Sequence, residues 1–243
     1  LATIAIYSLK GGVGKTTLAV NLAWAAASLS SRRTLLWDLD PQAAATFLLD
    51  RTERSGNEAQ AIFTRDVSPA KLARPTAFDR LDLIAADTSL RALDRTFHEL
   101  DKKKRLAKLL GELAAAYDRV LLDCPPGLTE TSEQVMRAAD LIVIPVIPSA
   151  LAMRAFGEVQ SHLARRNAKV PLMPVFSMVD RRRKLHAEAL AAYPDWPAIP
   201  AASIVEAMTE RRQPVGAFAP RSPGAQAFAI LWQAIERRLA LRR

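Results

Sequence analysis

The chain has 243 residues, half of them hydrophobic, with a formal net charge of +9 and a pI of about 10.1. That length suits one large α/β domain with apolar material for a core on both faces of a sheet. Its single cysteine, Cys124, excludes a disulfide framework or a cysteine-ligated cluster, and the scattered His98, His162 and His186 offer no zinc spacing.

Apolar strands alternate with helical stretches, the βαβ pattern of a parallel sheet. Strands are predicted at about 2–8, 34–38, 81–85, 119–123, 141–147 and 172–178, with a short one at 197–199. Helices are predicted at about 15–30, 43–50, 101–116, 129–138, 151–167, 184–193, 203–212 and 223–241. Each strand is a near-continuous apolar run, as a sheet covered on both faces requires. The polar stretch from Arg51 to Pro75 shows no assignable period. No internal repeat or linker interrupts the pattern, so residues 1–243 read as one domain. The expected fold class is α/β, a doubly wound, mostly parallel central sheet with helices on both faces.

No apolar run reaches the ~18 residues of a membrane span. The first apolar run leads straight into a glycine loop rather than a cleavage site, so a cytoplasmic location is expected. The basic excess implies a polyanionic partner.

Residues 10 to 17 carry the chemistry: Lys10, Gly11, Gly12, Val13, Gly14, Lys15, Thr16 and Thr17. Gly14-Lys15-Thr16 fits the end of the phosphate-binding pattern G-x-x-x-x-G-K-[ST], but its first glycine is replaced by Leu9. The loop therefore holds a second lysine, Lys10, five residues before the usual one. Glycines let the backbone approach an anion with positive φ, and the helix starting near Lys15 adds its positive end. Lys15 is placed for β- and γ-phosphates and the Thr16 hydroxyl for Mg²⁺. Asp38, Asp40 and Asp123 lie at or just past the carboxyl ends of predicted strands, where open α/β sheets place ligands. Asp123, ending an apolar strand, is the natural Mg²⁺ holder, whereas Asp140 reads as a solvated strand-entry residue.

Lys10 resembles the extra lysine of the deviant Walker A group, the ParA/MinD family of P-loop ATPases. Asp38-Leu39-Asp40-Pro41-Gln42 resembles that family's D-x-D-P-Q box, and Tyr117 to Pro126 its Walker B strand and following turn. Ile142 to Pro148, Ser177 to Arg182, Pro214-Val215 and Ser222 to Ala225 follow in family order, so the likeness covers nearly the whole chain. The resemblance implies bound ATP and Mg²⁺, with the metal near Thr16, Asp38 and Asp123. It makes Lys10, Lys15 and Asp40 the catalytic groups, Asp40 orienting the attacking water and Lys10 reaching the nucleotide of a second subunit in an ATP-bound homodimer. Met178 and Pro200 would pack on the adenine. The lone cysteine argues against the family's iron-protein branch.

DNA-binding relatives carry arginines after the base-pocket proline, in a stretch similar to I-P-R-N-V-R. Here Ile199-Pro200 is followed by Ala201, Ala202, Ser203 and Ile204. Other cations remain: Arg181, Arg182, Arg183, Lys184, Arg211, Arg212 and Arg221. They are the candidate contacts for non-specific DNA, because phosphate contacts need charge more than fixed positions. At the end of the chain, Phe228, Leu231, Trp232, Ile235 and Leu239 form an apolar helical stripe beside Arg237, Arg238, Arg242 and Arg243. It continues directly from Ser222-Pro223-Gly224 and reads as a core-packed last helix.

The resemblance thus implies a nucleoid-associated positioning or partitioning ATPase with slow hydrolysis, stimulated by a ParB-like or cargo adaptor protein. No DNA-reading domain is expected before the loop. A MinD-like, membrane-cycling ATPase is the alternative. A third reading, a metabolic P-loop enzyme, lacks substrate-specific polar groups in the sequence.

Overall fold

The computed structural model describes the chain except residues 51, 53–58, 65–66, 101–103 and 242–243. In chain order, β1 (Ala2–Ile6) runs through the glycine loop into α1 (Lys15–Leu29), and β2 (Thr34–Asp38) precedes α2 (Ala44–Leu49). Short helices α3 (Ala61–Thr64) and α4 (Pro69–Leu72) lead to β3 (Arg74–Pro75) and β4 (Leu81–Ile84). A 3₁₀ turn (Thr88–Ala92) opens α5 (Leu93–Leu100), followed by α6 (Arg105–Glu112), β5 (Arg119–Asp123) and α7 (Glu130–Ala138). Then come β6 (Leu141–Val146), α8 (Ala150–Arg165), β7 (Leu172–Val179), α9 (Lys184–Ala192) and β8 (Ala198–Pro200). After these lie α10 (Ser203–Glu206), α11 (Met208–Arg211), α12 (Val215–Phe218) and α13 (Pro223–Ala240).

The strands form one sheet in the order β3-β4-β2-β5-β1-β6-β7-β8. Every pairing is parallel except β3 with β4 at one edge. The doubly wound fold class is therefore the observed one. Alternation along the strands sends side chains to two cores, because successive residues face opposite sides. Ile4, Ile6, Leu36 and Leu121 join Leu18, Leu22, Phe228 and Trp232 on one face. Ala5, Tyr7, Leu35, Trp37, Val120 and Leu122 join Phe63, Phe97, Leu109 and Phe156 on the other. Such burial on both sides explains why β1, β2, β5 and β6 are buried throughout.

β1 lies between β5 and β6, where the chain's winding reverses, so its carboxyl end opens onto a topological switch point. The C-terminal stripe is inside the molecule: Phe228, Leu231, Trp232, Ile235 and Leu239 are buried, with α13 against α1 and β8. The Trp232 indole donates to Ser30 Oγ at 2.8 Å, and buried Arg119 makes two bonds to Glu236, at 2.7 and 2.8 Å. Arg242 and Arg243 lie outside the described residues.

Several boundaries differ from expectation. The predicted helix 203–212 is two short helices broken at Ala207, and Arg212 closes α11 with a left-handed φ of 50°. The helix predicted over 101–116 is seen from Arg105 to Glu112, with 101–103 outside the described residues. Its last part is turn, Leu113 to Ala116 following the helix as Tyr117 bonds back to Leu113. The unassigned stretch 51–75 contributes α3, α4 and β3, while 51, 53–58 and 65–66 lie outside the description.

Candidate nucleotide-binding site

The glycine loop is held open by backbone conformation. Gly12 (φ 70°) and Gly14 (φ 90°) occupy the left-handed region, costly for any side-chain-bearing residue. A Cβ on Gly14 would also lie 3.0 Å from Ser177 Oγ, so a side chain there would crowd β7 as well. Gly14 caps α1 with no side-chain bond, and no acid sits in the first turn. The helix's first N–H groups and its dipole therefore face the loop, as an anion site requires.

The two lysines fare differently. Lys15 is buried, with its Nζ donating to the Lys10 carbonyl at 3.3 Å. Lys10 is half-buried, and among the described residues its ammonium has no hydrogen bond or ion pair.

Asp38 and Asp123 are register partners on β2 and β5, and both are fully buried. Asp38 Oδ2 accepts from Thr46 N at 2.9 Å and Thr46 Oγ1 at 2.8 Å, while Oδ1 accepts from Asp40 N at 3.1 Å. Burial raises the Asp38 carboxyl to about 6, against the pull of the two Thr46 donors and the Asp40 amide. Among the described residues, neither oxygen of Asp123 has a partner within hydrogen-bond geometry. Burial, and then the Asp38 charge, push its carboxyl well above the usual range; the Thr16 hydroxyl and Lys15 offset only part. A dry carboxylate without donors, close to a threonine hydroxyl and a lysine, fits a hard cation with oxygen ligands. Thr16 and Asp123 thus suit Mg²⁺, whereas Asp38 is already occupied with Thr46 and Asp40.

Asp40 is half-buried at the mouth, with Oδ1 accepting from Gln42 N at 2.9 Å. Thr46 was not foreseen; its signal is a hydroxyl in the first turn of the helix that follows D-x-D. Asp140 is exposed but not merely solvated, since its Oδ2 accepts from Thr3 N at 2.8 Å and ties β6 to β1.

Met178 and Pro200 end neighbouring strands. The β7–β8 register is irregular between Phe176 and Val179, and within it Met178 takes φ 56° with 41% of its surface exposed. A non-glycine residue in that region marks a constrained site. Met178 Cε lies 3.7 Å from where a Gly14 Cβ would stand, so this methionine borders the glycine loop. Pro200 is half-buried opposite Val179.

The basic candidates divide. Arg181 and Arg183 are exposed between β7 and α9. Arg182 folds back on Asp180 with bonds of 2.9 and 3.0 Å, and Lys184 pairs with Glu188 at 3.8 Å. Arg211 is exposed and stacks on Phe218 at 4.9 Å; Arg221 is exposed. Arg212 is committed: its Nε donates to Phe47 O at 2.7 Å, its Nη2 to Asp50 O, and its guanidinium lies over the Phe47 ring. It caps the carbonyl end of α2.

A family model described as an AAA domain matches residues 1–169. The chromosome partitioning protein ParA of Caulobacter vibrioides is 32% identical over 195 residues, 76% of this chain and 72% of that protein. The chain belongs to the ParA-type deviant Walker A ATPases. Chromosome partitioning protein ParA of Myxococcus xanthus is 37% identical over 146 residues, 59% of this chain and 51% of its own length, so the match spans about half of that relative. The ParA-type fold also aligns with Cyanothece McdA, solved as a variant with ATP, at a TM-score of 0.83 and 23% identity, covering 96% and 95% of the two chains. Among the described residues of this ParA-type chain, no helix is long and apolar enough to cross a membrane.

Proposed function

We propose that the chain is an ATP-dependent dimerisation switch that hydrolyses ATP slowly and binds DNA without sequence preference, to position or partition a cargo. The observation that carries the reading is the unequal state of the two loop lysines. Lys15 is buried and turned into its own loop, whereas Lys10 is half-buried and, among the described residues, its ammonium has no hydrogen bond or ion pair. A free cation at the edge of a phosphate site is suited to phosphates held by a second copy.

ATP would lie along the glycine loop, its phosphates on the α1 N-terminus and Lys15, and its base near Met178 and Pro200. Mg²⁺, held by Thr16 with Asp123, would neutralise charge developing on the transferred phosphoryl group. Phosphoryl transfer asks the protein mainly for positioning and charge, which two lysines, a helix N-terminus and one water-holding carboxylate, Asp40, supply. Two subunits would set two Arg181–Lys184 segments on one composite surface for DNA. A ParB-like or cargo adaptor protein would then stimulate hydrolysis.

The membrane-cycling alternative needs an amphipathic helix free to lie on a bilayer. The stripe that could serve, from Phe228 to Leu239, is packed into the core. Co-sedimentation with DNA and with anionic liposomes, each with and without Mg-ATP, tests the choice. ATP-dependent recovery with DNA supports the proposal; recovery with liposomes alone favours the membrane cycle.

A further inference from the structure

We propose that Thr46 is a positioning residue for ATP hydrolysis, fixing Asp38 so that Asp40 is presented to the attacking water; this rests on the hydrolase reading above. The direction of its hydrogen bonds is fixed by chemistry. Ala86 N lies 2.8 Å from Thr46 Oγ1, and an amide can only donate. The hydroxyl oxygen must therefore accept there, which leaves its one proton for Asp38 Oδ2 at 2.8 Å. The Thr46 amide donates to the same oxygen at 2.9 Å. Asp38 cannot turn, and its other oxygen receives the Asp40 amide at 3.1 Å.

This chain of bonds ties together groups near the carboxyl ends of neighbouring strands: Ala86 beyond β4, and Asp38 and Asp40 at the end of β2. It ends on the carboxylate that the proposed reaction needs. Asp40 Oδ1 is held by Gln42 N, while among the described residues Oδ2 takes no hydrogen bond and is free to accept from water. α2 also lacks an ordinary cap, because its N-cap residue is Ala43 in a left-handed conformation with no side-chain bond. Asp38 fills that place from the strand, so the same contacts that hold the carboxylate also start the helix. A test must separate the two effects.

Thr46→Val keeps the β-branched shape but sets a methyl where Oγ1 lies 2.8 Å from Ala86 N and from Asp38 Oδ2. Thr46→Ala, which removes the hydroxyl without that crowding, is therefore measured beside it. We would measure kcat and KM for Mg-ATP, with thermal melting, for wild type, Thr46→Val, Thr46→Ala and Thr46→Ser, with Lys15→Ala as the blank. Loss of an orienting partner lowers activity about 10- to 100-fold. That drop is expected in kcat for both Val and Ala, with KM within about threefold of wild type and most of kcat restored by Ser. Wild-type kcat in either Val or Ala, with only a lower melting temperature, would make Thr46 a helix cap and overturn the proposal alone. No turnover by wild type above the blank would remove the hydrolase reading, and the proposal with it.

Discussion

Asp38 and Asp123 are register partners across the β2–β5 ladder, both fully buried, yet among the described residues three donors bond to Asp38 and none to Asp123. Two carboxylates side by side in a buried interior repel, and Asp123 keeps most of its desolvation cost, the Thr16 hydroxyl and Lys15 offsetting only part. Protein donors close the first carboxylate; a cation is the natural partner of the second. In this way the sheet register sets a carboxylate suited to the proposed Mg²⁺ beside one that protein donors already close.

Asp123→Asn therefore raises stability in EDTA, because a neutral amide replaces a buried carboxyl repelled by the Asp38 charge. The gain is on the order of 1 kcal/mol, since the amide is still a buried polar group. At roughly 2–4 °C per kcal/mol for a chain of this size, the gain is visible by scanning fluorimetry. The same variant loses most of the further stabilisation that Mg-ATP gives wild type. A fall in melting temperature in EDTA would mean that Asp123 already has a satisfying partner.

Lys15→Ala removes the one lysine buried inside the loop and so weakens ATP binding. A hydrogen bond to a charged group contributes about 1.5–3 kcal/mol, which corresponds to an affinity loss of roughly 10- to 150-fold for a single contact. Calorimetric titration with Mg-ATP is the check, and unchanged affinity would refute the phosphate-loop assignment.

For DNA, replacing Arg181, Arg182, Arg183 and Lys184 with alanine flattens the slope of log affinity against log salt. Each lost phosphate contact removes about 0.9 from that slope, and a dimer loses both copies. Arg212→Ala behaves differently: the slope stays and the melting temperature drops, because its guanidinium serves the carbonyls of Phe47 and Asp50. A slope unmoved by the fourfold change would reduce that segment to a solvated loop.

Gly216→Ala is a purely structural test. An added Cβ would stand 2.1 Å from the Trp24 ring, where α12 docks on α1 next to the Val215 N to Asn21 Oδ1 bond of 2.8 Å. Overpacking of this kind costs about 1–3 kcal/mol. A melting temperature equal to wild type would show that the α1–α12 contact is looser than described.

What the sequence made legible follows from burial. Runs such as Arg119–Asp123 and Leu141–Val146 are covered on both faces, so they are apolar almost throughout and easily read as parallel strands. β3 is two residues, Arg74 and Pro75, paired at an edge, too short and polar to show any period. The break at Ala207 has no sequence signal, because nothing local forbids a helix from 203 to 212. At the site, residue types at fixed spacing announced the glycine loop and the D-x-D box. Thr46 and the unserved state of Asp123 depend on strands meeting in space, and no local pattern records that.

In the proposed switch, Lys10 acts on the nucleotide of a second subunit. The most direct measurement is gel filtration with Mg-ATP of the Asp40→Ala protein, in which hydrolysis is blocked, against the same protein carrying Lys10→Ala. A stable dimer is expected for the first and a monomer that still binds ATP for the second, since only the charge offered across the interface is lost. An undiminished dimer peak with Lys10→Ala would contradict that role.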